Sequence, residues 1–348
     1  MFSALRTRVG NGRRRPGRTL RPAVAAGIGI LLISCTPAAP VRKDSDVPVA
    51  PVHPGDGGRV YVTNQQDDTI SVIDASTYKV IATAPAGVAP EGVAVAKDGK
   101  HVYIANSGSD RVSVLDTRNN KIVATVPVGK SPTGVGLSPD GAFLYVTNGG
   151  SDNVSLIDTR TDRVASTIPV GKSPVNVAFS PDGGSAYVAN SGSGSLSVIN
   201  ARTRRVDRDL PAGRSPVGVA ITPDGKSAYV ADEVAAHVLA VETRTGKVTT
   251  VSVGEGPFDV AVEPGGRFAY SADLGPGNVS VIDTRSHRVS STIALGPPGT
   301  DPFNLEVTDE AIYVTNQGAG TLKVIDPNSH KAVATVTLGA SPYGVAVG

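Results

Sequence analysis

The chain is poor in the residues on which several classes of protein depend. Its 348 residues include one cysteine, one methionine, five histidines and no tryptophan, and aromatic residues make up only 4%. A single cysteine excludes an internal disulfide and a cysteine-based zinc site. Five scattered histidines disfavour a centre built from many histidines, so we predict no bound metal and no cofactor. In contrast, 40 glycines and 26 prolines recur at even intervals, and a hydrophobic share of 40% is sufficient for a folded core.

The basic residues are unevenly distributed. The first 34 residues hold seven arginines and no acidic residue. Taking these seven from the total of 33 basic residues leaves 26 against 31 acidic residues, so residues 35–348 carry a formal charge of −5. This balance, with few aromatics among the basic residues, disfavours nucleic acid as a partner.

The N-terminal segment has the pattern of an export signal. Residues 23–33 (AVAAGIGILLI) form an apolar run of eleven, shorter than the ~20 residues that span a bilayer as a helix. Cys35 follows Ser34 at the end of this run, which resembles a bacterial lipoprotein box. We therefore predict a lipoprotein signal peptide over residues 1–34 and lipidation of Cys35. The alternatives are an ordinary cleaved signal or an uncleaved anchor, and the Arg13-Arg14-Arg15 run leaves open Sec or twin-arginine export.

Residues 35–58 are rich in proline and alanine and have no apolar periodicity, which predicts a flexible tether. The expected location is the extracytoplasmic side of the bacterial cell membrane, to which the lipid would anchor the protein.

The remainder of the chain is one repeat written seven times. A tyrosine recurs with gaps of 41 to 43 residues, at Tyr61, Tyr103, Tyr145, Tyr187, Tyr229, Tyr270 and Tyr313. Each copy contains four short stretches of β-branched and small residues, separated by turn residues. In the copy around Tyr145 these stretches are residues 134–137, 143–147, 154–157 and 164–170.

Four strands in each unit of about 42 residues predict an all-β fold, a seven-bladed β-propeller with four antiparallel strands per blade over residues 59–348. The chain begins at a second strand (59–63) and ends at a first strand (344–347). The C-terminal strand should therefore close the first blade and remove the free edges of the ring. A parallel β-helix is the main alternative, although it usually has shorter rungs and lacks tight hairpins.

The repeats resemble those of YVTN-type, or YncE-like, bacterial β-propellers. The matching motifs are Tyr61-Val62-Thr63-Asn64, Tyr145-Val146-Thr147-Asn148 and Tyr313-Val314-Thr315-Asn316. The resemblance covers the chain from about residue 59 and implies the propeller fold. It says little about activity, because the fold hosts binding proteins, lactonases, lyases and subunits of redox enzymes.

Residues common to every copy are expected to hold the blades. The Asn or Asp that ends each second strand, as at Asn64 and Asp232, should bond backbone groups in its own turn. Function is expected where copies differ. We call top the face carrying the turns after the second strands and the loops before the first strands, and bottom the opposite face.

Departures from the repeat are concentrated on the top. Four consecutive blades depart from the repeat near the channel mouth, and a turn nearby contains Glu233 and His237. The candidate ligand-binding residues are Glu91, Glu233, His237, Phe258, Asp259, Phe303, Asn304 and Tyr343. An apolar wall with a few polar groups suits a small molecule or a peptide. The alternative is drift of the repeat, with aromatic side chains that plug the channel.

The bottom turns after the third strands are rich in basic residues. They are Arg118, Lys121, Arg160, Arg163, Arg202, Arg204, Arg205, Arg244, Lys247, Arg285, Arg288 and Lys331. One interpretation is a solvated rim whose charges pair with neighbouring Asp residues. The other is a surface that rests against anionic lipid headgroups.

The sequence therefore predicts a monomeric, exported, lipid-anchored binding or scaffold module. Its partners would be the membrane, through the lipid, and a protein, peptide or envelope polymer at the top. The alternative is a lactonase- or lyase-like enzyme that uses Glu91, Asp259, Glu233 or His237, which would require these groups to converge on one point.

Overall fold

The computed structural model describes residues 58–348, which form seven four-stranded antiparallel sheets. The predicted signal peptide, Cys35 and all of the tether except Gly58 lie outside these residues. Within them, no helix is long and apolar enough to cross a membrane. A short 3-10 helix, Gln65–Asp67, follows the first strand.

Each sheet is one blade, and its strands run from the central channel outwards. Blade 1 contains β1 (Arg59–Asn64), β2 (Thr69–Asp74), β3 (Lys79–Pro85) and the last strand, β28 (Pro342–Val347). Blade 2 contains β4 (Pro90–Val95), β5 (His101–Asn106), β6 (Arg111–Asp116) and β7 (Lys121–Pro127); blade 3 contains β8 (Pro132–Leu137), β9 (Phe143–Asn148), β10 (Asn153–Asp158) and β11 (Arg163–Pro169). Blade 4 contains β12 (Pro174–Phe179), β13 (Ser185–Asn190), β14 (Ser195–Asn200) and β15 (Arg205–Pro211); blade 5 contains β16 (Pro216–Ile221), β17 (Ser227–Asp232), β18 (His237–Glu242) and β19 (Val248–Ser252). Blade 6 contains β20 (Pro257–Val262), β21 (Phe268–Asp273), β22 (Asn278–Asp283) and β23 (Arg288–Ala294); blade 7 contains β24 (Pro302–Val307), β25 (Ile312–Asn316), β26 (Thr321–Ile325) and β27 (Ala332–Thr337).

The ring closes as predicted. The first strand of each blade contacts the first strand of the next blade all the way round the channel. At the seam, β28 pairs antiparallel with β1, and Tyr61 lies opposite Ala346. The amide of Arg59 donates to the carbonyl oxygen of Gly348 at 2.7 Å, and the amide of Gly348 donates back at 2.9 Å. The prediction of a seven-bladed propeller closed by the C-terminal strand is confirmed.

The core lies between the blades because each sheet is apolar on both faces. Successive side chains of a strand point to opposite faces. In β1, Val60 and Val62 pack with Tyr313 and other residues of blade 7, whereas Tyr61 packs with Ile104 and other residues of blade 2. A single blade could not bury both faces, so the stacking of blades stabilises each of them.

The Asn residues that end the second strands are structural, although their partners differ from those predicted. The side-chain amide of Asn64 donates to the hydroxyls of Thr69 and Ser71, each at 3.0 Å. Strand pairing explains this, because Thr69 lies directly opposite Asn64 and Ser71 lies diagonally across β2. Asp232 does accept two backbone amides, from Arg214 and Ser215. These belong to the loop before the first strand, so the prediction of bonds within the turn itself is wrong.

The Thr of the YVTN motif joins neighbouring blades near the top of the channel. The register between first and second strand shifts there, as between Val62 and Asn64. The hydroxyl of Thr63 accepts the amide of Gly344 at 2.9 Å and donates to the carbonyl oxygen of Glu91 at 2.6 Å. The hydroxyl of Thr315 joins Asn304 to the carbonyl oxygen of Tyr343 in the same way. These bonds fix the backbone that carries the candidate site.

Candidate functional site

The channel mouth is formed by the top ends of the seven first strands. The third residue of each first strand lines one cavity, and these residues are Gly92, Gly134, Asn176, Gly218, Asp259, Asn304 and Gly344. The cavity measures about 60 Å³. That volume admits a few ordered waters and is far below the 300–1,000 Å³ of a typical ligand pocket. This cavity therefore has no room for a substrate.

Three aromatic side chains meet at the mouth, as the sequence predicted. Phe258 and Phe303 stack with ring centroids 3.7 Å apart, and Tyr343 lies 4.6 Å from Phe303. Tyr343 meets Phe258 edge-on at 6.3 Å. Each occupies the second position of its first strand, in blades 6, 7 and 1, and each remains half-buried. We call these three residues the aromatic cluster; it covers one side of the mouth and offers ring surface to the top.

Asp259 lies within the channel. Its carboxylate accepts the backbone amide of Leu305 in blade 7 at 3.1 Å and lies 3.5 Å from the side-chain amide of Asn176 in blade 4. The intervening Gly218 permits this reach, because a Cβ there would lie 2.5 Å from the Asp259 carboxylate. Burial raises the pKa of Asp259 to about 7. Asn176, in a blade outside the predicted group, is thus joined to that group through Asp259.

Glu306 is a channel residue that sequence reasoning missed. Burial, with the nearby charge of Asp259, raises its pKa to about 7. At the same position of the first strand the other blades have only small residues, namely Ala94, Gly136, Ala178, Ala220, Ala261 and Ala346. Aligning the first strands as well as the loops reveals this exception.

Glu91 and Tyr343 interact on the opposite side of the mouth from Asn176. Glu91 is 8% exposed and accepts the side-chain amide of Gln65 at 3.0 Å. Burial raises the pKa of Glu91, and the nearby polar groups of Ser107, Gln65 and Tyr343 oppose that shift. The pKa of the Tyr343 hydroxyl is raised by burial and then by the negative charges of Glu91, Asp259 and Glu233. The mouth is therefore a region of negative potential.

Glu233 and His237 lie in a second depression, which we call the rim cleft. It has a volume of about 790 Å³ and is also lined by Arg214, Val234 and Glu255. Val234 is 59% exposed. The structure therefore divides the predicted residues between the channel mouth and the rim cleft on the same face. Within residues 58–348, no three His, Cys, Asp or Glu side chains are placed to hold a metal ion.

The whole top is acidic. Its loops and the adjoining strand residues carry eleven acidic residues, which are Asp67, Asp68, Glu91, Asp110, Asp152, Asp232, Glu233, Glu255, Asp259, Asp273 and Asp301. They carry four basic residues, Arg111, Lys130, Lys172 and Arg214. Such an excess of one sign attracts ligands of the opposite charge.

Comparison with known proteins identifies the fold and no activity. Residues 49–142 match the family model of the YNCE-like beta-propeller. The sequence has no match among curated proteins.

Solved structures of similar fold have varied roles. One is a functionally unknown protein from Desulfotomaculum acetoxidans, with a TM-score of 0.70 and 20% identity, covering 83% of this chain and 98% of that one. Another is hydrazine synthase of Kuenenia stuttgartiensis, with a TM-score of 0.64, 22% identity and coverage of 80% and 91%. A third is virginiamycin B lyase of Staphylococcus aureus, with a TM-score of 0.64, 15% identity and coverage of 73% and 87%. At these identities the similarity establishes the fold alone.

Proposed function

We propose that this β-propeller, part of which matches the YNCE-like family model, is a binding module whose top face takes a positively charged segment of a protein, a peptide or an envelope polymer. The observation that carries the proposal is the 60 Å³ cavity beneath the aromatic cluster. Since this cavity admits only water, we expect a ligand to be bound on the outer surface of the mouth and in the rim cleft.

The chemistry of this surface suits a cation. The aromatic cluster offers ring faces, which attract ammonium and guanidinium groups. Glu233 and Glu255 supply carboxylates in the rim cleft, and neither takes part in an ion pair within residues 58–348. The exposed Val234 adds apolar surface for the stem of a long side chain. A lysine- or arginine-bearing segment would satisfy all three features.

The proposal is tested with three synthetic peptides that differ only in a central lysine, norleucine or glutamate. We expect the lysine peptide to bind most tightly, with an affinity that falls as salt is added. The double variant Glu233→Gln/Glu255→Gln should lose about tenfold in affinity, which corresponds to about 1.4 kcal/mol. Asp98→Asn/Asp224→Asn, a matched pair on the bottom, should bind normally. Equal binding of the three peptides, or equal loss in both double variants, would contradict the proposal.

One observation favours the alternative, a lactonase- or lyase-like enzyme. A carboxyl group with a pKa of about 7, as at Asp259, has the acidity of an effective general base. A substrate would have to displace the aromatic cluster to reach it. Incubation with a panel of lactones and cyclic depsipeptides, followed by mass spectrometry, tests this alternative. Turnover by the native chain that is abolished by Asp259→Asn would favour the enzyme. No turnover by the native chain would favour the binding module.

Export and lipidation at Cys35 complete the proposed function. This part of the proposal rests on the resemblance of the sequence before Cys35 to a lipoprotein box. Several acyl chains on one residue would hold the protein firmly at a membrane. Labelling of growing cells with palmitate should mark the native chain and leave Cys35→Ser unmarked. An unlabelled native chain in the membrane fraction would favour an uncleaved anchor.

A further inference from the structure

The bottom has the opposite charge balance to the top. Its turns and the adjoining strand residues carry 18 basic and 14 acidic residues, an excess of four positive charges. Charge is therefore separated along the axis of the ring, with the acidic face at the channel mouth and the basic face at the opposite end.

A repeated pair of residues is found at the outer edge of the bottom. The fourth strand of most blades begins at a basic residue followed by an aliphatic one, as in Lys79-Val80 and Arg163-Val164. Nine large hydrophobic residues are exposed within residues 58–348, and seven of them lie at or just after these positions. Val123 and Val333 are each 53% exposed. We use the name basic rim for six basic residues at or next to the starts of the fourth strands, which are Lys79, Lys121, Arg163, Arg205, Arg288 and Lys331.

The backbone explains why these side chains project. In six of the seven blades the register between third and fourth strand shifts near the start of the fourth strand. In blade 1 the extra residue is Ile81, which has no partner opposite it and is 39% exposed. A bulged edge strand is a poor template for pairing with another strand. The rim therefore presents side chains to a partner and does not favour addition of a β-strand.

The charges of the basic rim are free. All six residues are exposed, and none has a carboxylate oxygen within 4 Å in the part of the chain that the structure describes. The neighbouring Asp residues bond their own turns instead, as Asp74 does with Ser76 and Thr77. The expected pairing of rim cations with Asp occurs at Arg118, which contacts Asp116 at 2.6 Å.

The N-terminal segment joins the body on this same face. The carbonyl oxygen of Gly58 accepts the amide of Ala75, in the bottom turn after β2, at 2.9 Å. The 57 preceding residues hold the apolar run and Cys35. The chain that precedes Gly58 is therefore attached to the body on the face that carries the basic rim.

We propose that the basic rim and its exposed aliphatic residues rest on the surface of an anionic bilayer, with the acidic top directed away from it. The basic residues lie at the level of the headgroups, and the adjacent Val and Ile side chains contact the interface. Each basic residue near such a surface raises the partition coefficient about fivefold at low salt. The contact orients the top and is independent of what the top binds.

The test compares two triple variants of the full chain on vesicles with and without phosphatidylglycerol, by sedimentation. The rim variant is Arg163→Gln/Arg205→Gln/Arg288→Gln. The matched control removes the same charge from the top, Lys130→Gln/Lys172→Gln/Arg214→Gln. The arginine-rich N-terminus is common to both, so its contribution cancels. We expect the rim variant to lose about a hundredfold in partitioning to anionic vesicles, and the top variant to stay within about twofold of the native chain.

Two outcomes would overturn the proposal. Equal losses in both variants would mean that net charge alone drives binding, and no loss in either would mean that the rim does not touch the bilayer. Soluble polyphosphate separates a lipid surface from a general polyanion site, because it should compete weakly if the aliphatic residues also contact the bilayer. A further variant, Val123→Ser/Val333→Ser, should weaken binding to vesicles and leave binding to polyphosphate unchanged. Since all the substituted residues are exposed, unchanged thermal unfolding would verify that the variants fold.

Discussion

The top and bottom of this propeller are built from the same repeat and use it in opposite ways. On the top, function is suggested where single blades depart from the repeat, as at Phe258, Asp259 and Glu233. On the bottom, it is suggested where nearly every blade repeats the same basic and aliphatic pair. One face thus offers a few specific contacts in one sector, and the other offers many weak contacts around the whole ring. Repetition suits a broad uniform surface, whereas a defined ligand requires asymmetry.

Breaking the seam should affect both faces equally. Val345→Asp places a carboxylate in the core between blades 1 and 7, where Val345 is 4% exposed. An unpaired buried charge is among the most destabilising substitutions, so we expect a loss of at least about 4 kcal/mol in the free energy of unfolding. Chemical denaturation followed by circular dichroism measures it. Val333→Asp, at an exposed site, is the control; similar losses in the two variants would argue against closure by β28.

Adding one methyl group should destabilise the protein more on the top than on the bottom. Gly218→Ala puts a Cβ 2.5 Å from the Asp259 carboxylate and 2.6 Å from its Cα, so the mouth has to shift, at about 1–3 kcal/mol. Gly99→Ala, in a bottom turn with φ of +68° and open space around it, should cost about 1 kcal/mol through its backbone alone. Thermal unfolding compares the two. A smaller loss for Gly218→Ala would mean that the mouth is loosely packed.

The acids of the channel should make the top sensitive to pH near neutrality. The pKa values of Asp259 and Glu306 are raised to about 7 in the folded chain, so the protonated forms are favoured there. Their contribution to stability is fully present below the unfolded pKa values near 4 and is lost as the pH rises through 7. We expect Asp259→Asn and Glu306→Gln to unfold at higher temperature than the native chain at pH 8, by a few degrees, and with little difference at pH 5.

A carboxyl group on the bottom should give stability the opposite dependence on pH. Hydrogen bonds from Thr222 and the backbone of Lys226 lower the pKa of Asp224 to about 2. Its contribution is present above the unfolded pKa and is lost as the pH falls through the range from 4 to 2. Asp224→Asn should therefore reduce the dependence of stability on pH only in acid. Melting curves of the three variants from pH 3 to pH 8 should diverge in different ranges, and identical profiles would contradict the burial of the channel acids.

The most local effect is expected at the bond between blades 7 and 1. Thr315→Val removes the hydroxyl that accepts the amide of Asn304 and donates to the carbonyl oxygen of Tyr343. Losing one buried hydrogen-bonding group costs about 1–2 kcal/mol and should loosen the aromatic cluster. Tyrosine fluorescence and thermal unfolding report the two effects. Thr321→Val, on the adjacent third strand, is a control that should leave the fluorescence nearly unchanged.

The fold was predictable because the same four-strand pattern occurs seven times in the sequence. Each blade gives independent evidence for the same four strands, and the incomplete first and last repeats identify the seam. Strand ends were less exact: Pro132 belongs to β8, where the sequence suggested residue 134 as the start. The place of each strand in its blade is determined locally, by the spacing of the repeat and by its turn residues. Both can be read from the sequence.

The site was only partly predictable, because it depends on how side chains reach across the ring. The aromatic cluster could be expected from consecutive blades. The contact of Asp259 with Asn176 could not, since it depends on the missing side chain of Gly218 and the narrowness of the channel. Glu306 escaped notice because only the loops were compared between copies. Glu233 and His237 stand apart from the mouth because the turn after β17 lies further from the axis.

The pairing of β28 with β1 also sets the order of events during synthesis. Thr63 accepts the amide of Gly344 across 281 residues of chain. The ribosome makes β28 after every other strand of the ring, so the innermost position of blade 1 stays vacant until blades 2 to 7 have been synthesised. A nascent or C-terminally truncated chain thus exposes the unpaired edge of β1 and cannot attain the stability of the closed ring.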